Sequence, residues 1–343
     1  MRRIFTPGYL LYTAALLVSA AGAYHVLAPR MRPLTVEDMA SPDYRDDPET
    51  LMRKIDRDGL LHDLRPHAKA THDGIDYATN NDGLRDDHDY TLEKVPGVRR
   101  VLMLGDSFVF GYGLPLEQTM ARQVMSLLDP SSWEVMSFGV PAYNTVHEVN
   151  FLEERGLKYH PDDVLLMYHP NDASIGVVTP LGDEVVSEAI ILAYYEGTAS
   201  EHDRERVVEY LRSQGWPLAP AWNASDLKSR DRNYLIHHFL PLYWAEVEKA
   251  LDKLQQLARQ HRFRVHVAVI PELDRPWEGH PFVGLYEHVR GEMARRGFDV
   301  IDLYRVFRHY PNSDLMLWGH DGHTSAFANR ILAHVLAEHL KGH

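Results

Sequence analysis

Five short strand-like runs, two of them apolar throughout and each separated from the next by a segment of helical spacing, constrain this chain more than any other feature. They fall at residues 101–104, 133–137, 164–168, 265–270 and 299–303. Amphipathic stretches lie among them at 119–128, 147–156, 249–261, 282–296 and 324–340. A short run that is apolar throughout, rather than alternating, reads as a strand buried on both faces. Strands that alternate with helices need crossovers, and right-handed crossovers build a parallel sheet with helices on each side. The expected class is therefore α/β.

The alternation breaks between about 174 and 243. This insertion holds Tyr194, Tyr195, Trp216, Trp222 and Tyr234 and reads as a mainly helical cap over the carboxyl edge of the sheet. Ahead of the sheet, residues 31–98 read as a linker followed by edge elements. Residues 51–64 have helical spacing and suggest one or two short surface helices. The turn formers in 73–85 suggest a small hairpin. The sheet domain itself spans 99–343.

The first 30 residues set the expected compartment. Arg2 and Arg3 precede an apolar run from about 9 to 28, close to the roughly 20 residues that cross a bilayer. Basic residues on that side favour an inside N-terminus and an exported body. Ala21-Gly22-Ala23 also fits a signal-peptidase site, so a signal anchor and a cleaved signal peptide both match. A formal net charge of −13 with no basic block argues against nucleic-acid binding. The chain has no cysteine, which removes disulfides, thiolate metal sites and a cysteine nucleophile.

Candidate chemistry collects where the strands end. Gly105-Asp106-Ser107 closes the first apolar run, Gly139 the second, and Asn171-Asp172 follows the third. A serine at a sheet's carboxyl edge stands where open α/β sheets bind ligands. As a nucleophile it needs a base and oxyanion donors. The Ser107 and Gly139 backbone N–H groups and the Asn171 amide could supply the donors. His320-Asp321-Gly322-His323 precedes the last helix and offers the base. His323 is the candidate, with Asp321 to orient it and His320 as the rival. A metal-dependent hydrolase fits less well, because no His-Glu-x-x-His pattern occurs.

These blocks resemble the SGNH (GDSL-like) hydrolase superfamily, over roughly residue 78 to the C-terminus. Ser107 resembles its nucleophile, Gly139 and Asn171 its second- and third-block oxyanion donors, and His323 its base. Asn81-Asp82-Gly83-Leu84-Arg85 resembles a lead-in of many exported members. Two positions depart from the pattern. His169 stands where the third block usually has glycine, and Asp321 lies two residues before His323 rather than three. The two-residue spacing is similar to that of some carbohydrate-acylating relatives. The resemblance implies a three-layer α/β/α sandwich of flavodoxin-like type and no metal or organic cofactor. It also implies a serine esterase or O-acyltransferase acting on acylated glycans outside the cytoplasm, anchored to the membrane by its N-terminal helix. A lipase or thioesterase acting on lipid-derived esters, and a non-catalytic glycan-binding or assembly protein, are the other expectations.

Overall fold

The computed structural model describes residues 51–57, 60–174, 178–181, 184–187, 190, 193–194, 198–213, 234–235, 237–239 and 241–342. They belong to the second of two compact units, Asp46–His343. Two hairpins come first, β1 (Met52–Arg57) with β2 (Leu60–Leu64) and β3 (Lys69–His72) with β4 (Ile75–Ala78). Then follow β5 (Arg99–Gly105), α1 (Ser107–Phe110), α2 (Met120–Met125), β6 (Trp133–Gly139), α3 (Thr145–Phe151) and β7 (Asp163–Tyr168). The insertion contributes the hairpin β8 (Val178–Leu181) and β9 (Glu184–Ser187), with helix α4 (Glu201–Ser213). The chain continues through α5 (Pro241–His261), β10 (Arg264–Val269), α6 (Val283–Arg295), β11 (Asp299–Asp302) and α7 (Leu303–Phe307). It closes with α8 (Asn312–Leu315), β12 (Met316–Leu317), β13 (Asp321–Thr324) and α9 (Ala326–Lys341).

Five strands form one parallel sheet in the order β11-β10-β7-β5-β6. Period-two geometry divides each strand between two apolar layers. Leu102, Leu104, Val164, Leu166, Val267 and Val269 face one layer, where they meet Val149, Val247, Leu251, Leu285 and Val289 of α3, α5 and α6. Val101, Met103, Leu165, Met167 and Ala268 face the other, against Met120, Val124, Leu332 and Leu336 of α2 and α9. The result is a three-layer α/β/α sandwich. Because both faces are covered, β5 and β7 have no solvent side. That is why Val101–Leu104 and Val164–Tyr168 are continuous apolar runs.

Three N-terminal and insertion expectations change. Residues 51–64 form the β1–β2 hairpin rather than surface helices, with Met52 opposite Leu64 and Arg53 opposite Asp63. Asp58-Gly59 between the strands is a strong hairpin dipeptide, and it outweighs helical spacing in so short a charged segment. The next hairpin begins earlier than expected. It turns on Asp73 and Gly74, with φ of 50° and 75°, the positive values that a tight two-residue hairpin turn requires. The insertion holds the β8–β9 hairpin as well as helix. Tyr195, Trp216 and Trp222 lie outside the described residues, as does the expected N-terminal apolar helix. Among the described residues, no helix is long and apolar enough to cross a membrane.

Candidate active site

Read in chain order, the sheet runs 2-1-3-4-5, the flavodoxin-like winding whose strand order reverses between its first and third strands. Chains wound this way leave a crevice at the carboxyl ends of those two strands, here β5 and β7. Ser107 follows β5 and Asn171 follows β7. Both therefore stand at the reversal.

The last strand and the first helix meet there. His323 Nε2 lies 2.8 Å from Ser107 Oγ, and His323 Nδ1 lies 2.6 Å from Asp321 Oδ1. Asp321 Oδ1 also accepts the His323 backbone N–H at 2.9 Å. With Nδ1–H directed at the carboxylate, Nε2 presents a lone pair and the Ser107 hydroxyl donates to it. The spacing of two follows from β13 being extended. Residues i and i+2 of a strand share a face, so Asp321 and His323 lie side by side. His320 falls outside this arrangement, being exposed with Nδ1 on the Trp318 carbonyl at 3.0 Å. The hydrogen bond from His323 holds the Asp321 carboxyl below the ordinary carboxylate range.

Asn171 is oriented from two sides. Its Nδ2 donates to Asp106 Oδ2 at 2.7 Å, and its Oδ1 lies 2.5 Å from His169 Nδ1. A carboxylate only accepts, so the amide nitrogen must face Asp106 and the amide oxygen must face the ring. The short ring contact then places a proton on His169 Nδ1. On its other side, His169 Nε2 is 3.5 Å from Oε1 of the buried Glu272. The Phe108 ring stacks on His169 with centroids 4.4 Å apart and lies 4.9 Å from His323. One Nδ2 hydrogen of Asn171 is used on Asp106. The other remains for a ligand. Ser107 is the first residue of α1, and its N–H precedes any intrahelical acceptor.

The Ser107 turn is packed from behind. Asp106 caps α1 by accepting the Phe108 N–H at 2.9 Å. Gly139 lies so close to α1 that a Cβ there would sit 2.2 Å from the Phe110 nitrogen and 2.6 Å from the Val109 carbonyl carbon. Gly105 has no positive φ; its need is space, since a Cβ would come 2.4 Å from Val109 Cγ2. The Arg85 guanidinium donates to the carbonyls of Phe110, Gly111 and Leu114 at 2.7, 2.5 and 2.5 Å, closing the end of α1. It also lies over the Tyr77 ring, 4.3 Å from its centroid. Burial lowers the Arg85 pKa to about 10. The 81–85 segment thus fixes the helix that carries Ser107.

Two acids are buried beneath this turn. Glu148 and Asp172 are 1% and 0% exposed. Neither Glu148 oxygen, nor Asp172 Oδ1, has a hydrogen-bond partner among the described residues. Burial, and then the charge of Asp106, pushes the Glu148 carboxyl well up. Burial, and then Glu148 and Asp106, does the same to Asp172.

The structure thus brings Ser107, His323 and Asp321 together and sets Asn171 and Gly139 against the same turn. Sequence reasoning gave no role to His169, Glu272 or Arg85. His169 was visible only as a departure from a motif. Glu272 carries no local signal, because its partner comes from another strand end.

No protein-family model and no curated protein matches the chain. Solved structures that overlay on it include the acetyl xylan esterase AlAXEase, with 14% identity, TM-score 0.42 and coverage of 70% of this chain and 99% of that one. A lipolytic protein of the G-D-S-L family from Veillonella parvula has 15% identity, TM-score 0.42 and coverage of 70% and 97%. A catalytic mutant of Axe2, an acetylxylan esterase from Geobacillus stearothermophilus, has 14% identity, TM-score 0.44 and coverage of 72% and 95%. These overlays are loose, and the geometry described above stands apart from them.

Proposed function

We propose that this chain is a serine-dependent ester hydrolase or O-acyltransferase of SGNH type that works through an acyl-enzyme on Ser107. The observation that carries the reading is the continuous chain of contacts from Ser107 Oγ through His323 to Asp321, 2.8 and 2.6 Å long. Ser107 Oγ attacks the ester carbonyl carbon while His323 Nε2 takes its proton. Asp321 stabilises the resulting imidazolium. The carbonyl oxygen becomes an oxyanion, held by the Ser107 N–H, the free Asn171 Nδ2 hydrogen and the Gly139 N–H. On collapse, the C–O bond to the leaving group breaks and His323 returns the proton to the departing alkoxide. A water or sugar hydroxyl then repeats the sequence in reverse, releasing acid or a new ester and restoring Ser107.

The preferred substrate is an acylated, most simply acetylated, glycan. Support comes from the Asp-x-His form of the last block and from Trp318. That side chain is 51% exposed, has φ of 53°, and lies on the loop entering β13. Its ring edge reaches the loop after the nucleophile, with Cζ2 3.2 Å from where a Gly113 Cβ would stand. An exposed indole beside a catalytic loop suits stacking against a sugar ring. The basic and apolar sequence of residues 1–30 supports export, on a signal anchor or after cleavage of a signal peptide.

The test is release of acid from p-nitrophenyl acetate by the purified full chain. Wild type turns over, and Ser107→Ala, with an unchanged circular dichroism spectrum and melting temperature, does not. Equal turnover by Ser107→Ala removes the nucleophile assignment. Incubation with an acetylated oligosaccharide, with and without an acceptor sugar, separates hydrolysis from transfer by mass spectrometry.

A further inference from the structure

A second polar cluster lies at the opposite, amino-terminal edge of the sheet. His266 of β10 pairs in register with Asp299 of β11, and His339 of α9 comes down on both. His266 is fully buried, whereas the Asp299 side chain is 46% exposed. The six-residue rise of β5 separates this edge from Ser107 by about 20 Å.

We propose that His266 Nδ1, His339 Nε2 and Asp299 Oδ2 form a zinc site that clamps the last turn of α9 to the sheet. One potential ligand atom from each residue falls within 4.8 Å of the others. His266 Nδ1 is 3.0 Å from His339 Nε2 and 3.6 Å from Asp299 Oδ2. Tetrahedral zinc with bonds of about 2.0–2.2 Å sets its ligand atoms roughly 3.3 Å apart. These two separations bracket that value. The donor set, two imidazoles and a carboxylate, suits zinc, and the exposed Asp299 side leaves a fourth position to water.

The outer shell carries the argument further. His266 Nε2 lies 2.9 Å from Asp163 Oδ1, and Arg99 holds Asp163 with Nε at 2.5 Å and Nη2 at 2.7 Å. Arg264 Nε adds a contact at 3.2 Å. A ligating histidine almost always donates its other N–H to such a carboxylate, which fixes the tautomer. Here the Nε2–H directed at Asp163 leaves a lone pair on Nδ1, facing His339 and Asp299. The proton in the 3.0 Å contact between the rings then belongs to His339 Nε2. Zinc takes its place, and the proton moves to His339 Nδ1, so a neutral pair binds the cation with no net proton release. The two arginines pair with Asp163 and hold it as the outer partner of His266. Bound zinc would join β10, β11 and the end of a helix about 24 Å long, and so resist fraying of the C-terminus.

The experiment uses the chelator-stripped full chain titrated with zinc by calorimetry, and with cobalt(II) by visible absorption. Wild type should take up one equivalent at this site, give a four-coordinate cobalt spectrum, and melt at a higher temperature with zinc. His339→Ala and Asp299→Ala should each weaken that equivalent by more than the roughly 10–100-fold typical of losing an outer partner. Both should also lose the zinc-dependent melting shift. His334→Ala, exposed on the same helix, should bind as wild type and so controls for adventitious histidine binding. No uptake by wild type, unchanged affinity in either ligand variant, or a six-coordinate cobalt spectrum overturns the proposal. Turnover of p-nitrophenyl acetate is a separate readout, so failure here leaves the Ser107 assignment intact.

Discussion

His169 Nδ1 lies 2.5 Å from Asn171 Oδ1, so the ring holds the amide oxygen while Asp106 holds the amide nitrogen. The ring occupies a position where a glycine could make no such bond. Buried Glu272, 3.5 Å from Nε2, holds the ring from the far side. His169→Ala should therefore loosen the amide on one side, leaving Asp106 to hold its nitrogen. Losing a whole oxyanion donor costs about 10²–10³ in kcat. A misaligned donor should cost about 10–100-fold, with KM little changed. Steady-state kinetics of His169→Ala beside Asn171→Ala checks this, with the larger loss expected in the second. Equal kcat in His169→Ala and wild type would show that Asp106 alone orients the amide.

The carboxylate behind His323 is separable by substitution. Asp321→Asn keeps the shape but removes the charge and lets an amide N–H face Nδ1, favouring the wrong tautomer, so kcat should fall by about 10²–10⁴. His320→Ala removes a ring that faces the Trp318 carbonyl and should stay near wild type. A larger loss in His320→Ala reverses the assignment.

Gly139→Ala tests the packing of the nucleophile helix. Its Cβ would collide with backbone atoms of Val109 and Phe110, which cannot rotate away as a side chain could. We expect a loss of about 1–3 kcal/mol in stability. Turnover should fall about 100-fold if α1 shifts by an ångström. Denaturant melts and kinetics on one preparation report both. Wild-type values in both measurements would mean that α1 has slack against β6.

Glu148 predicts an inverted pH dependence. Its folded pKa is raised, so the native state keeps a proton that the unfolded chain has lost above about pH 4.3. Stability is full below that value and declines as pH rises, by up to about 1.4 kcal/mol per pH unit for each such group. His147 and His238, lowered by burial to about 4 and about 3, have the opposite slope. Theirs acts only below about pH 6.5. Between pH 7 and 8, Glu148→Gln should therefore be more stable than wild type and less sensitive to pH. Urea unfolding at several pH values measures it, and parallel curves would refute the assignment.

The sheet was legible because strands buried on both faces must be apolar throughout, as at Val101–Leu104 and Val164–Tyr168. The residues about the nucleophile were legible for a different reason: they sit on turns at strand ends, where local sequence is restricted. Helical spacing misled at 51–64, where two short antiparallel strands share the same polar pattern as a short helix. Contacts between distant segments left no local trace. Arg85 on the α1 carbonyls and Glu272 on His169 each needed the folded chain to appear. The Asp321 spacing became intelligible once β13 proved extended, since only then do alternate residues share a face.

Ser107 and His323 are 216 positions apart. During synthesis the serine is made long before its base. A nascent, stalled or clipped chain that ends ahead of His323 therefore carries a nucleophile with nothing to take its proton. Such fragments should be inert toward acyl esters wherever they accumulate. On the proposed mechanism, reactivity at Ser107 is withheld until the segment that carries His323 has been made.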